Sequence, residues 1–245
     1  MATLVFTDCK IYIAQYDMSG DINQVQLNVG AEMVENTTFG ATARTKKAGL
    51  YTVDYNLNGF ANYGSNLCDE TLFAQTGNIN VPHTLVPEGN AIGNVAYIFR
   101  GAQASYSPGG QVGEMIKFSV NGGVSGGAAI RAKILEPGTS MRTSNASGNE
   151  VLVGAASASQ RVFVAVHVLE KQGNNATLDL IVQSDTTGFP SPANQITVAQ
   201  FNNTLGSSWN NTAAGAITDT FYRVGWTIGG TATPGYRFVV AAGIL

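Results

Sequence analysis

Charge is what this sequence has least of. Only 12% of its 245 residues are charged, about half of the roughly 25% usual in soluble domains. The 13 Lys and Arg against 16 Asp and Glu leave a net charge of −3. No basic stripe is available to neutralise phosphates, which argues against a high-affinity nucleic-acid binder. Histidine is almost missing, at 2 residues, and general acid–base catalysis and zinc chemistry most often rest on that side chain. Two cysteines, Cys9 and Cys68, are too few and too far apart for a disulfide framework or a four-ligand zinc site, and read as reduced, structural thiols. Apolar runs such as Val162–Val166 fall far short of the roughly 18 residues needed to cross a bilayer. The start, MATLVFTDCK, has no basic region ahead of an apolar stretch, so the expectation is folding in a cytosol without a secretory signal. No GxSxG elbow, HExxH pair, P-loop or CxxC occurs. These absences exclude the common catalytic, metal-dependent and membrane-spanning classes, and the expectation is no enzyme, no metal and no cofactor.

What is present is glycine, at 29 residues, with Asn, Thr, Ser and Gln, a mixture that favours strands and turns over helices. Strict apolar/polar alternation is the strongest signal. Val25, Leu27 and Val29 alternate with Gln24, Gln26 and Asn28. Tyr51, Val53, Tyr55 and Leu57 alternate with Thr52, Asp54, Asn56 and Asn58. Each pattern predicts a strand with one wet face. Further strands are expected at Val95–Arg100, Glu114–Val120, Arg161–Leu169, Leu178–Val182, Tyr222–Ile228 and Tyr236–Leu245. Gly109-Gly110, Gly122-Gly123 and Gly126-Gly127 read as hairpin turns and bulges. Repeated strands between turn signals predict an all-β fold of sandwich or barrel type.

One segment departs from this pattern. Ser65-Asn66 can cap a single helix of two to three turns carrying Leu67, Leu72 and Phe73, with Asp69 and Glu70 near its positive end and Gly77 beyond its stop. The stretch PGTSMRTSNASGN after Glu136 has no apolar periodicity and predicts a linker at 137–150 between a domain at 1–136 and another at 151–245. Charge divides the same way: residues 1–136 hold 8 basic and 11 acidic groups, the remainder 5 of each. The ending RFVVAAGIL is apolar on both faces, which requires cover on both, inside a sheet or at an interface. With so little surface charge, association with copies or partners is expected.

Candidate ligand-binding residues are few. His83, after Pro82, is expected in a loop, and His167 as a packed strand residue. Asp17 and Asp21 lack the spacing of a calcium loop and predict a tight turn. Trp209, Tyr222, Trp226 and Tyr236 could build a sugar-stacking platform, although core packing suits them better, Tyr222 and Trp226 sharing one strand face.

From residue 17 to about 132 the chain resembles the major tail proteins, or tail tube proteins, of long-tailed bacteriophages. The resemblance rests on Asp17-Met18-Ser19-Gly20, Thr37-Thr38-Phe39-Gly40, the charged stretch of Arg44, Lys46 and Lys47, and Gly49-Leu50 before an alternating strand. The helix, FRGAQASYSPGGQVGEMIKFSV and the SGG after it then follow in the family's order. The resemblance implies a barrel-forming, tail-tube-like β-sandwich with one short helix, followed here by a second, jelly-roll-like β-sandwich outside the matched region. It further implies a virion structural protein, made in the bacterial host cytoplasm, forming hexameric rings that stack into a tube. Its partners would be itself and other phage structural proteins, with DNA only as passing cargo. Residues of about Gly30–Gly49 would then reach a neighbouring subunit, which makes Glu32, Glu35, Thr37, Thr38, Phe39, Arg44, Lys46 and Lys47 the candidate interface. The alternatives are a capsid decoration or cement protein, and a carbohydrate-binding β module holding host glycan on Trp209 and Trp226.

Overall fold

The computed structural model describes residues 8–39, 42–64 and 67–245. The chain runs through β1 (Lys10–Ile13), β2 (Tyr16–Asp17), β3 (Ile22–Glu35), β4 (Lys46–Phe60), α1 (Cys68–Gln75) and β5 (Val81–Val86). There follow β6 (Val95–Gly109), β7 (Lys117–Val124), β8 (Ile130–Pro137), β9 (Ala146–Ser147) and β10 (Val151–Leu152). The last strands are β11 (Val162–Asp185), β12 (Ala193–Asn202), β13 (Gly206–Asn211) and β14 (Phe221–Ile244). The protein is all-β with one short helix. It divides into two compact units: residues 1–20, 81–100 and 130–245 form one, and residues 21–80 and 101–129 the other.

The larger unit is organised by β11 and β14, which pair antiparallel from Val162↔Ile244 to Asp185↔Phe221. Sequence patterning divides each of them in two, because KQGNNAT and GGTATPG read as turns. Pairing instead continues through these stretches with register shifts, and Gly173 (φ 86°), Asn175 (φ 49°) and Gly230 (φ 124°) absorb the bend in left-handed conformations. The two halves of this long hairpin then face one another. Val164, Val166 and Val168 share a core cluster with Leu178, Leu180, Val182, Val224, Trp226, Phe238 and Val240. The opposite face of the C-terminal strand is covered as well: Val239 and Ala241 pack with Tyr12, Val86, Ile98, Ile130 and Ile134. The two-sided apolar ending is therefore buried within this unit, between two clusters.

The packing division follows a different line from the composition-based one at 136 and 151. β8 pairs with β14 from Gly243↔Ala132 to Val239↔Pro137, so the strand before the expected linker belongs with the strand that ends the chain. Residues 137–150 are tied down by backbone bonds between Arg142 and Tyr236, by β9 on Gly225 and Trp226, and by the Trp226 indole N–H donating to the Ser144 carbonyl at 3.0 Å. Arg142 also grips the Glu136 carboxylate with Nη2 at 2.8 and 3.1 Å, while its guanidinium lies 5.2 Å from the Trp226 ring. Glu136 is 1% exposed, and removing one partner of a buried pair strands the other charge. Arg142→Ala is therefore expected to cost about 3 kcal/mol, toward the low end of that class because the arginine is itself partly solvated. The apolar double variant Glu136→Leu, Arg142→Met should cost less. Urea midpoints of the three proteins check this.

In the smaller unit, β3, β4, β7 and the second half of β6 form an antiparallel sheet in that order. Val53, Tyr55, Leu57, Phe118 and Val120 are buried on one face, together with Cys68 and Leu72 of α1. Tyr106 donates its hydroxyl to Asp69 at 2.6 Å. The helix stands where its pattern predicts, with Asp69 and Glu70 in the first turn and Gly77 (φ 84°) after its end. The expected cap at Ser65-Asn66 lies outside the described residues. Gly122 sits inside β7 rather than in a turn, and the position requires glycine because a Cβ there would lie 2.4 Å from the Tyr55 phenol.

Candidate assembly interface

Alternation places apolar and polar residues of β3 and β4 on opposite faces, and their register runs from Ile22↔Gly59 to Glu35↔Lys46. β4 pairs with β7 only from Asp54 to Phe60. Beyond Val53 the two strands continue as an isolated two-stranded ribbon, roughly 25 Å long at about 3.3 Å per residue. Both of its faces are exposed. Met33 is 58% exposed, Leu50 78% and Tyr51 72%, and Val29 and Val34 are about half exposed too. A two-stranded hairpin is marginal in water unless a hydrophobic face is covered, and clusters of exposed apolar groups mark interaction surfaces.

The candidate interface residues gather at the tip of this ribbon. Glu35 faces Lys46 across the strands and forms an ion pair with Arg44 at 3.7 Å. Thr37 donates its hydroxyl to Glu35 at 3.0 Å and accepts the Thr45 N–H at 3.2 Å, and the Asn36 N–H reaches the Thr45 carbonyl at 3.0 Å. This clasp shapes the turn. Glu32, Lys46 and Lys47 make no ion pair among the described residues, Thr38 is exposed and Phe39 is fully in solvent. Gly40, the last residue of the Thr37-Thr38-Phe39-Gly40 element, lies outside the described residues.

The polar face of the same sheet is a lattice mostly of amides and hydroxyls, which sequence reasoning recorded only as wet strand faces. Gln24, Gln26 and Asn28 of β3 stand beside Asn58, Asn56 and Asp54 of β4, then Ser119 and Asn121 of β7, then Ser107 and Ser105 of β6. The outer strands of the sheet are β3, which pairs only with β4 among the described strands, and the Ser105–Gly109 half of β6, which pairs with β7.

The remaining candidates are structural. Trp226 is 6% exposed within the larger unit's main core, edge-on to Phe238, whereas Trp209 packs on Phe163 beside the other cluster. The two tryptophans thus serve different cores and form no common platform. Asp17 accepts the backbone N–H and the hydroxyl of Ser19, closing a turn. His83 lies in β5, not in a loop, and is buried with its ring stacked on Phe99. His167 is enclosed, its Nδ1–H donating to the Ala14 carbonyl at 2.6 Å and its Nε2 accepting the Thr84 hydroxyl at 2.7 Å. Burial lowers both imidazoles to about 4. Burial also pushes the free thiols up, Cys9 to about 11 and Cys68 to about 12, which suppresses thiolate chemistry. Among the described residues no group of acidic, His or Cys side chains is placed to hold a metal, and no helix is long and apolar enough to cross a membrane.

No protein-family model and no curated protein matches the chain. Solved structures similar to it are components of phages and gene transfer agents. One is SPP1 Dit (gp 19.1), described as a paradigm of the hub adsorption apparatus in phages infecting Gram-positive hosts. It is 9% identical with a TM-score of 0.40, covering 98% of this chain and 100% of that one. Another is the SPP1 tail tube, at 11% identity and TM-score 0.40 over 50% of this chain and 76% of that one. A chain from the virion of a native gene transfer agent particle is 12% identical with a TM-score of 0.38, over 48% of this chain and 93% of that one.

Proposed function

We propose that this chain is a non-catalytic structural subunit of a phage tail, assembling into rings that stack as the tail tube around passing DNA. The observation that carries the reading is the β3–β4 ribbon, which leaves Val29, Met33, Val34, Leu50 and Tyr51 in water on a hairpin with no cover of its own. Such a ribbon gains its stability from a neighbour. The outer edges of the β3-β4-β7-β6 sheet support the same reading, because closing a sheet through its neighbours removes edges that would otherwise aggregate. The strand count favours a rotating assembly. With four alternating strands, the β6 edge of one copy meets the β3 edge of the next antiparallel, a head-to-tail contact that can close into a ring. The resemblance of residues 17 to about 132 to the tail tube proteins supports the same reading, because it implies that about Gly30–Gly49 reaches a neighbouring subunit. The polar sheet face is compatible with DNA as cargo, since among the described residues its four-stranded part carries only Asp54 and Lys117, which offset one another.

Negative-stain microscopy of the purified protein, concentrated from micromolar upward, tests the proposal. Stacked rings or tubes of uniform diameter are the expected result. A protein that stays monomeric, or forms closed trimers binding phage heads, would be a decoration protein instead.

A further inference from the structure

A chain of side-chain hydrogen bonds crosses all strands of the smaller unit's sheet on its polar face. The Asn58 amide donates to Gln24 Oε1 at 3.2 Å and to Asn56 Oδ1 at 2.8 Å. Asn56 donates to Asn121 Oδ1 at 2.5 Å, and Asn121 to Ser105 Oγ at 3.4 Å. The donors run outward from Asn58 toward both edges. At the β6 edge it ends on the Ser105 hydroxyl, which accepts from Asn121 and keeps its own proton to donate. At the β3 edge it ends on the Gln24 carbonyl oxygen, which accepts from Asn58 and keeps a second lone pair. Each edge therefore keeps unused hydrogen-bonding capacity, the hydroxyl proton at Ser105 and a lone pair with the amide protons at Gln24.

We propose that this chain continues from copy to copy, Ser105 and Ser107 of one subunit meeting Gln24 and Gln26 of the next, and that it sets the register of the seam. The inference rests on the ring reading above and adds to it. Backbone pairing alone leaves the two edges free to slide. A slip of one residue would swap faces and bring Val25 and Leu27 opposite the serines. A slip of two would preserve the faces but leave amides without partners. The occupant of both edges is a second copy, because the two edges run in opposite directions and present hydroxyls on one and amides on the other, which can bond each other in register.

Cysteine pairs test the seam in assembled protein. Ser107→Cys is combined with Gln24→Cys, Gln26→Cys or Asn28→Cys, all on the polar face, and with Val25→Cys as the opposite-face control. Directly opposed residues lie about 4.5–5.5 Å apart, so mild oxidation followed by peptide mapping should find an inter-subunit disulfide for one polar-face pair, several-fold above the Val25 control. Tubes that form without any such cross-link, or with Val25 as the favoured partner, overturn the seam while leaving the tube reading intact. Protein that forms no rings overturns both. A second variant, Asn56→Val, interrupts the chain without removing a bond to either edge residue. It should fold with a cooperative melt yet lose most of the cross-link yield and form assemblies of uneven diameter. Undiminished cross-linking in that variant would remove the amide chain as the register device.

Discussion

Lowering the pH from 6.5 to 5 is expected to remove about 3 kcal/mol from the stability of the larger unit, through its two histidines. In the folded chain both imidazoles are lowered to about 4, burial being the main cause and each ring being held in its neutral form. The Val81 carbonyl accepts from His83 at 2.8 Å, while His167 bridges Ala14 and Thr84. In the unfolded chain both titrate near 6.5. Above that pH neither state takes up protons and the stability is fully present. Between 6.5 and about 4 the unfolded chain gains protons that the folded chain refuses, so stability falls by up to about 1.4 kcal/mol per pH unit for each histidine. The window from 6.5 to 5 lies above the range in which ordinary carboxylates titrate, which isolates the histidines. A loss of this size is comparable with the total stability of many domains, about 5–15 kcal/mol. Urea unfolding at pH 7.5, 6.5, 5.5 and 5.0 measures it. The slope should be roughly halved in His83→Phe and in His167→Gln, and a slope that survives in both variants would rule the histidines out as its source.

His83 also illustrates what the sequence conceals. Pro82 before it suggests a loop, yet Pro82 starts the buried part of β5, which pairs with β1 from Lys10↔Val86 to Ile13↔His83. Long-range cover decided the conformation there, and no local pattern announces it. Where one strand face is wet and the other dry, the reading was direct: Val53, Tyr55 and Leu57 are buried and alternate with polar residues, whereas the same alternation continues through Tyr51 and Val29, which stand in water. Where glycines and asparagines interrupt a pattern, turns were expected and bends were found, as at Gly173 and Asn175, since left-handed residues permit a strand to fold over without leaving its partner. Residues 137–150 have a linker's composition, but backbone groups hold them, and composition does not report on backbone bonds. The charged ribbon tip was legible as a cluster because its members are close in sequence. The amide chain was not, since Asn56 meets Asn121 across 65 positions and only the strand register brings them together.

Reversing the ribbon's cationic side with Lys46→Glu and Lys47→Glu is expected to abolish polymerisation at low salt while leaving the protein soluble and folded. Lys46 stands opposite Glu35, and Glu35 already holds Arg44 within the chain. The double reversal therefore sets carboxylates against one another inside the tip and also against acidic groups of a neighbour. An exposed pair contributes only about 0–1 kcal/mol, but a ring and a stack of rings repeat the contact at every subunit, so small losses multiply. Salt should restore assembly in part, because the screening length shortens to about 3 Å at 1 M. A companion variant separates charge from cover. Leu50→Ser with Tyr51→Ser removes two exposed apolar groups, each worth about 1.5–3 kcal/mol when buried, and its assembly defect should persist at every salt concentration. Sedimentation and negative-stain microscopy at 50 mM and 1 M salt distinguish the two. Tubes that form normally with the reversed charges would remove Arg44, Lys46 and Lys47 from the interface. Tubes that form normally without Leu50 and Tyr51 would leave the ribbon as a solvated hairpin and withdraw the observation on which the tail-tube reading stands.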